Sequence, residues 1–420
     1  MRYCKRCLYP ENHPLNIVFD SEGVCSGCRV HEEKDELDWK IREIELEKIL
    51  KGYQNSSGNN YDCIIPVSGA RDSYFIVHTI KNVYGLNPLL VTYNKHYNTE
   101  LGIRNLAYLR TIFNCDMLTM TVNPDTVKKI TRATLRKMGS MYWHCIAGQT
   151  VFPVQIAVKF KIPLIIWGCH QGIDQVGMFS HLDEVEMTRK YRKEHDLMGY
   201  EAEDLVDIFD HVRERDLVQY FYPDDKEIER VGIRGIYLNN YIRWDTKAQH
   251  EQMINKYGYE SGHQNRTFDY YNDIDCFHYS DLHDQIKYLK HGYGKATDHA
   301  TREIRFGRMS REQGIDIASS YVNKKLVHSD LFLDWMKMDA DGLDLVIDQH
   351  RSPKIWERNL ETWDWKLMDS VKNHLNDSGV DNVRLPVTSD YEFLITPSRN
   401  PENRDNRYVL IGKGYVDHML

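Results

Sequence analysis

The sequence predicts an α/β fold with a doubly wound parallel sheet, followed by a mainly helical C-terminal part. In roughly the first 170 residues, short apolar runs alternate with amphipathic stretches of helical length. This alternation is typical of parallel sheets, in which a helix follows each strand and covers one face. Beyond residue 172 no strand periodicity persists, so we expect the C-terminal part to be mainly helical.

The individual elements can be placed in chain order. An amphipathic helix is expected within 31–50, and the polar residues 55–60 read as a linker. Strands are predicted at 61–67, 88–93, 117–122 and 163–168, and helices at 99–113, 124–137 and 146–160. Further helices are predicted at 281–291, 310–322 and 330–338, with Ser310 and Gln313 spaced as a capping box. These elements predict three domains, at 1–58, 59–250 and 251–420.

Residues 68–73 read Ser-Gly-Ala-Arg-Asp-Ser and separate the first apolar run from a helix. A small-residue turn between a buried strand and a helix presents backbone N–H groups and a favourable dipole to an anion. A phosphate is the expected ligand, and we call these residues the phosphate loop. On the hexapeptide alone, an ordinary serine-capped turn is the alternative. Because parallel strands end at one edge, Tyr93 and Gly168 should lie near this loop.

Four cysteines near the start of the chain form two Cys-x-x-Cys pairs separated by seventeen residues, at Cys4, Cys7, Cys25 and Cys28. This is the spacing of a zinc ribbon, in which four thiolates converge on one closed, tetrahedral metal site. An iron–sulfur cluster and disulfides are the alternatives. Disulfides are disfavoured because no apolar signal peptide precedes the first pair and the other five cysteines are scattered singly. We therefore expect a reducing, cytoplasmic setting.

Composition narrows the classes of partner. The formal net charge is −8 and the isoelectric point is near 6.2, so there is no global attraction to nucleic acid. No apolar run approaches the roughly 18 residues that would span a membrane. A small-molecule substrate or a protein partner is expected, rather than nucleic acid or a lipid bilayer.

The phosphate loop resembles the Ser-Gly-Gly-x-Asp-Ser pyrophosphate loop of the PP-loop ATP pyrophosphatases. Ser68, Gly69, Asp72 and Ser73 match that motif, whereas Ala70 stands where the pattern has a second glycine. If this position required a positive φ, alanine would be strained there and nucleotide affinity would suffer.

Three further blocks resemble the N-acetyl sugar amidotransferase family of lipopolysaccharide and flagellin-glycan synthesis. They are residues 165–172 continuing into 177–180, residues 289–298 with Arg302, Arg305 and Arg308, and residues 350–353 with 355–356. Together with the cysteine pairs and the phosphate loop, the resemblance spans roughly residues 1–360.

The resemblance implies conversion of an acetamido group on a nucleotide-linked sugar to an acetamidino group. ATP would adenylate the acetamido oxygen, and ammonia from a partner glutaminase would displace AMP. The implied cofactors are ATP, Mg²⁺ and Zn²⁺. Nucleotide contacts are expected from Ser68, Gly69, Ala70, Arg71, Ser73, Tyr93 and Gly168, catalytic roles from Asp72, Lys295 and Asp298, and substrate contacts from His170, Arg302 and Arg305.

Alternatives remain for both the residues and the function. The basic block 295–308 could be a solvated helix face, and Cys169 and Cys276 are expected to be small hydrophobic residues rather than nucleophiles. A PP-loop tRNA-modifying sulfurtransferase or lysidine-type ligase would need a sulfur-carrying cysteine pair or a basic tRNA-binding face, and neither is evident outside the ribbon. A non-catalytic scaffold, in which Ala70 has abolished ATP binding, is a third reading.

Overall fold

The computed structural model describes residues 1–377, except residues 16, 56, 207–211, 271–273 and 277–280. The predicted domain 251–420 therefore lies partly outside the described residues. Within the described part of the chain, no helix has both the length and the apolar character needed to cross a lipid bilayer.

The central sheet has five parallel strands in the order β3-β2-β1-β4-β5, which confirms the predicted parallel sheet. The strands are β1 (Cys63–Pro66), β2 (Pro88–Tyr93), β3 (Met117–Met120), β4 (Leu164–Trp167) and β5 (Arg234–Tyr237). A separate antiparallel hairpin consists of β6 (Trp356–Arg358) and β7 (Trp365–Leu367).

The sequence shows no strand periodicity beyond residue 172, yet strands are present there. β5 and the hairpin both lie there, and each of these strands has only three or four residues. β5 begins with Arg-Gly and has no apolar run, so hydrophobic periodicity in the sequence could not predict it. It is a strand because it pairs along its whole length with β4.

The helices predicted at 99–113, 124–137, 146–160, 281–291, 310–322 and 330–338 are present within a few residues of those bounds, whereas the one predicted within 31–50 is two helices that meet at residues 37–38. The described helices include all of these and several that were not predicted. They are α1 (Ser26–Glu36), α2 (Trp39–Tyr53), α3 (Arg71–Val77), α4 (Glu100–Ile112), α5 (Pro124–Met138), α6 (Trp143–Phe160), α7 (Gln171–Asp174), α8 (Arg189–Tyr191), α9 (Glu214–Leu217), α10 (Asp225–Val231), α11 (Thr246–Tyr257), α12 (Leu282–His291), α13 (Lys295–Arg305), α14 (Arg311–Tyr321), α15 (Ser329–Met336) and α16 (Ala340–Asp348). The predicted capping box at Ser310 and Gln313 is present. α11 runs across residue 250, where a domain boundary was predicted.

Local signals explain why the helix bounds were predictable. The Thr99 hydroxyl accepts from the Gly102 amide and so begins α4, and Pro124 opens α5, which ends at Gly139 in the left-handed conformation. α3 continues directly into a π-helical turn, His78–Val83, so residues 71–83 form one helical segment.

Both faces of the sheet are covered. On one face, α3 and α11 pack over apolar side chains of β1, β4 and β5, and on the other face α6 packs over β2 and the alternate residues of the same strands. The covered faces leave the carboxyl edge of the sheet for loops, which is where such proteins bind ligands.

The N-terminal ribbon, residues 1–30, shares its core with the rest of the molecule. Its cysteines and Tyr9 pack against apolar residues of the chain after β4, such as Ile173, Met178 and Phe179. Leu8 also packs against α13 and α14. The ribbon is therefore wedged between the sheet domain and the helical part.

Candidate functional site

The phosphate loop lies where the strand order of the sheet reverses. From β1 the chain adds β2 and β3 on one side, and then crosses to add β4 and β5 on the other. Ligands of open parallel sheets bind at such a switch point, beyond the carboxyl ends of the strands. The two strands that flank this point lead into the phosphate loop and into residues 168–178, which we call the strand-end segment.

Glycine is required at position 69 and not at position 70. Gly69 has φ +78°, and a Cβ there would lie 2.9 Å from the Cβ of Leu106. Ala70 has φ −79° and ψ −177°, an extended conformation open to any residue. The strain considered for Ala70 is therefore absent, and the departure from the PP-loop pattern at this position has no conformational cost.

The phosphate loop is held by its own serines. The Ser73 hydroxyl accepts from the Ser68 amide at 3.1 Å, and the Ser68 hydroxyl accepts from the Ala70 amide at 3.1 Å. Among the described residues, the Gly69 amide has no hydrogen-bond partner. The loop is thus pre-formed while one backbone donor remains for an anion.

Arg71 and Asp72 follow at the start of α3. Arg71 Nε lies 3.4 Å from Asp72 Oδ1, and each side chain is 29% exposed. A half-exposed carboxylate and guanidinium beside a pre-formed amide turn provide one group for a metal and one for a phosphate.

A buried ion pair from two other regions lies close to this loop. Lys34 of α1 pairs with Asp174 of α7, and Lys34 is only 1% exposed. Burial raises the pKa of the Cys169 thiol; Asp174 and Asp72 raise it further, and Lys34 and Arg71 oppose them. These four charges therefore all act on the thiol of Cys169, the second residue after β4.

Two buried histidines connect the phosphate loop to α13. Burial lowers the pKa of His250 and of His299, and the positive charges of Arg71 and Arg302 lower both further. Lys295 acts on His299 in the same direction. Arg71 and Arg302 thus act electrostatically on both histidines, and Lys295 acts on His299, although these three predicted site residues lie far apart in the sequence.

The charged groups of this cluster are also held in place. Arg302 forms ion pairs with Asp269 and, at 2.9 Å, with Glu303. The Thr267 hydroxyl and His299 Nδ1 are 2.6 Å apart. The alternative of a freely solvated basic face does not fit, since Lys295 and Arg305 are buried.

Asp298 lies on the side of α13 that faces the ribbon. It pairs with Lys287 and accepts from Gln175 Nε2 at 3.4 Å, and the same Gln175 amide donates to the Tyr9 hydroxyl at 3.1 Å. The Lys295 amide donates to Asp284 Oδ1 at 2.5 Å, which holds the first turn of α13. Asp298 is thus tied to the strand-end segment through Gln175.

His170 is buried within an aromatic cluster of the strand-end segment. Its ring centroid lies 4.4 Å from that of Tyr191 and 4.6 Å from that of Tyr237, and its amide donates to Asn239 Oδ1 at 3.1 Å. Neither ring nitrogen has a hydrogen-bond partner among the described residues. Burial lowers the pKa of His170 to about 3, so the ring is neutral.

Tyr93 and Gly168 lie at the same edge of the sheet, but they contribute differently. The Tyr93 hydroxyl is 2.7 Å from that of Tyr220 and 3.1 Å from His144 Nδ1, so it is engaged inside the core. Gly168 allows close packing, because a Cβ there would lie 2.9 Å from Ile76 Cδ1. A ligand contact through the Tyr93 side chain finds no support in this geometry.

The four ribbon cysteines converge as a closed cluster. All four are buried, and their sulfurs lie within 4.8 Å of one another. Cys4 Sγ is 4.0 Å from Cys28 Sγ, and Cys7 Sγ is 3.6 Å from Cys25 Sγ. Tetrahedral zinc with Zn–S bonds of about 2.3 Å separates its sulfurs by about 3.8 Å. The donor set and its spacing fit that metal.

Arg305 lies beside this cysteine cluster and not on an open substrate-binding wall. Its guanidinium donates to the Asp174 and Gln175 carbonyls at 3.1 and 2.8 Å, and its Nη2 is 3.6 Å from Cys25 Sγ. It is 5% exposed. The expectation that Arg305 contacts the substrate is therefore corrected. Its guanidinium is buried against the ribbon instead.

Sequence reasoning missed several residues that complete the site. They are Lys34, Asp174, Asn239, His250, Asp269 and His299. Each lies in a helix or loop without a motif of its own, and the chain brings them together only by long-range packing.

One comparison with known proteins concerns the C-terminal part. Residues 251–372 match the family model described as "LPS biosynthesis protein WbpG-like, C-terminal domain". Uncharacterized protein MJ1599 of Methanocaldococcus jannaschii is 25% identical over 122 residues, which is 29% of this chain and 43% of that protein. The chain thus matches less than half the length of this archaeal relative.

A solved structure, the NMN synthetase of Francisella tularensis, superposes with a TM-score of 0.27 and 13% identity. The superposed region covers 52% of this chain and 96% of the synthetase. At this TM-score the likeness carries no inference about function.

Proposed function

We propose that this protein is an ATP-dependent amidotransferase that converts an acetamido group of a nucleotide-linked sugar to an acetamidino group. The observation that carries the proposal is the phosphate loop, pre-formed at the topological switch point with the Gly69 amide uncommitted and Arg71 and Asp72 half exposed. The match of residues 251–372 to the WbpG-like C-terminal domain supports a role in lipopolysaccharide biosynthesis.

In the proposed first half-reaction, the acetamido oxygen attacks the α-phosphorus of ATP and pyrophosphate leaves. The Gly69 amide, the loop serines and Arg71 would hold the departing pyrophosphate, and Asp72 would bind Mg²⁺. Arg302 would bind the anionic sugar nucleotide, because a bidentate cation suits phosphates, and the buried Lys295 would add positive charge behind it. His170, neutral and lacking a partner for either ring nitrogen, would contact a hydroxyl or amide of the substrate.

In the second half-reaction, ammonia attacks the carbon of the adenylated imidate and AMP leaves. A partner glutaminase would supply the ammonia. A glutaminase nucleophile needs a thiol with a lowered pKa, whereas burial raises the pKa of Cys63, Cys115, Cys145 and Cys169. These four thiols outside the ribbon therefore lack that activation, which favours a separate source of ammonia.

The cysteine cluster would hold zinc with a structural role. Four buried thiolates leave no open position for a substrate, and the metal would supply folding free energy to the ribbon.

The test is AMP formation by the purified chain with ATP, Mg²⁺ and ammonium, using nucleotide-linked acetamido sugars as acceptors. We expect AMP and pyrophosphate in equal amounts and an amidino product about one mass unit lighter than the acceptor. Glutamine should replace ammonium only when a glutaminase is added. AMP formation with tRNA and not with sugars would point to a tRNA-modifying ligase, and failure to bind ATP at all would favour a scaffold.

A further inference from the structure

Arg305 is a buried cation whose surroundings are unusual. Among the described residues, no carboxylate lies within ion-pair distance of it, whereas Lys34 and Arg29, which are buried as deeply in this region, each have one. Its donors reach two backbone carbonyls and the Cys25 sulfur. A buried guanidinium without a counter-charge is strongly unfavourable.

The charge that balances Arg305 can come from the cysteine cluster. Zinc bound by four thiolates carries a net negative charge, and here that charge would be buried beside a guanidinium. A cluster of neutral thiols or of disulfides would leave the arginine without an adjacent negative charge, with only the more distant Asp174 carboxylate to offset it. The position of Arg305 is therefore suited to a metal-loaded cluster.

The same arginine joins three parts of the molecule. It belongs to α13, it holds the carbonyls of Asp174 and Gln175 in the strand-end segment, and it contacts the second Cys-x-x-Cys turn. That turn leaves no room for a side chain: a Cβ at Gly27 would lie 2.3 Å from Arg305 Nη2 and 2.5 Å from the Gln175 carbonyl oxygen.

The ribbon side of this contact is reinforced by a second hydrogen bond. The Ser26 hydroxyl donates to the Val176 carbonyl at 2.6 Å, and Gly177 takes φ +62° where a Cβ would lie 2.2 Å from the Ser26 carbonyl oxygen. The backbone of the Cys-x-x-Cys turn and that of the strand-end segment are thus in direct contact.

We propose that Arg305 is a positioning residue that couples the metal centre to the strand-end segment, so that metal occupancy holds Asp174 and Gln175 where the site needs them. Through these two residues the effect reaches the Lys34 pair at the switch point and Asp298 on α13. The inference rests on the zinc site proposed above, and it goes beyond the proposed function because it assigns Arg305 to the metal and not to the substrate.

The test compares Arg305→Gln, which removes the charge, and Arg305→Lys, which keeps the charge without the two-pronged geometry, with the control Arg308→Gln. Arg308 lies just beyond α13 and pairs with Glu303 and Asp245, so its loss changes the net charge equally without touching the cysteines. The first measurement is the rate of zinc transfer to a chelator from the full-length protein. We expect transfer at least tenfold faster in Arg305→Gln, an intermediate rate in Arg305→Lys, and no change in Arg308→Gln.

The second measurement is hydrogen exchange of amides 171–178. Exchange should rise in Arg305→Gln and in metal-stripped wild-type protein, and should stay unchanged in Arg308→Gln. If Arg305→Gln does not fold, Arg305→Lys carries the test by itself and should show faster zinc transfer and faster exchange of amides 171–178 than the wild-type protein. Wild-type zinc retention together with wild-type exchange in the folded variants would overturn the coupling. A wild-type protein that binds no metal would instead refute the zinc site itself.

Discussion

The phosphate loop and the cysteine cluster are both short motifs on turns, yet they treat their polar groups in opposite ways. The loop leaves the Gly69 amide uncommitted and the Arg71 and Asp72 side chains partly exposed. The cluster buries all four sulfurs completely and surrounds them with apolar side chains and Arg305. The first arrangement is suited to a ligand that comes and goes, and the second to a metal that stays.

The two motifs therefore have different chemical roles, but they are structurally connected. The strand-end segment is shared, because it contacts the ribbon through Val176 and leads out of β4 at the switch point. Damage to the closed motif should therefore reach the open one, while damage to the open motif should stay local.

The largest effect is expected from breaking the closed motif. Cys25→Ser should remove the metal and lower the free energy of unfolding by roughly several kcal/mol, a large part of its total. ATP binding should be lost as well, because the ribbon and the sheet domain share a core. Metal analysis, thermal unfolding and ATP titration measure the three effects. Cys115→Ser, half buried and outside the cluster, is the control and should leave all three unchanged. Retention of both metal and melting temperature in Cys25→Ser would contradict this prediction.

The next largest effect is expected from Asp72→Asn in the open motif. Loss of a carboxylate that serves the transition state should lower the rate of AMP formation by about 10² or more. The unfolding temperature should change little, because asparagine keeps the size and an oxygen acceptor of the side chain in the first turn of α3. Asp125→Asn, at an 86% exposed side chain, is the matched control. Near-normal turnover in Asp72→Asn would remove Asp72 from the proposed mechanism.

A smaller effect distinguishes the two neighbouring positions in the loop. Gly69→Ala forces a side chain into positive φ and against Leu106, at a cost of roughly 1–2 kcal/mol, so ATP affinity should fall about tenfold. Ala70→Gly restores the PP-loop pattern, but we expect little change because Ala70 is already extended. Isothermal titration with ATP measures both. Tighter ATP binding by Ala70→Gly would show that the bound loop differs from this one.

The smallest effect is expected on the pH dependence of folding stability, through His170. Burial lowers the pKa of His170 to about 3, whereas an unfolded histidine titrates near pH 6.5. The unfolded state then binds more protons below that pH, so the contribution of His170 to stability is complete above pH 6.5 and is lost as the pH falls toward 3. Its slope is about 1 kcal/mol per pH unit.

Denaturant unfolding between pH 7 and 5 measures this slope. His170→Gln should make the decline shallower by that amount, and replacement of the exposed His263 by Gln should leave it unchanged. An equal decline in both variants would mean that His170 gains a proton partner in the folded protein.

The sequence alone was sufficient where the signals are local. The bounds of β2 and α5 follow from an apolar run, from the proline at position 124 and from Gly139, all within a few residues of the structure they specify. The Cys-x-x-Cys spacing and the small-residue turn at 68–73 likewise predict a metal site and an anion site, because each motif lies within a single turn of the chain. The parallel sheet followed from the alternation of these signals.

The tertiary structure decided what depends on residues far apart in the chain. β5 exists because β4 pairs with it, the Lys34–Asp174 pair joins residues 140 positions apart, and Arg305 meets Cys25 across 280 positions. Ala70 is likewise free of strain because of the path of the loop around it. Side chains such as that of Arg305 have no local pattern, since their orientation is set by where burial leaves room and which partner balances the charge.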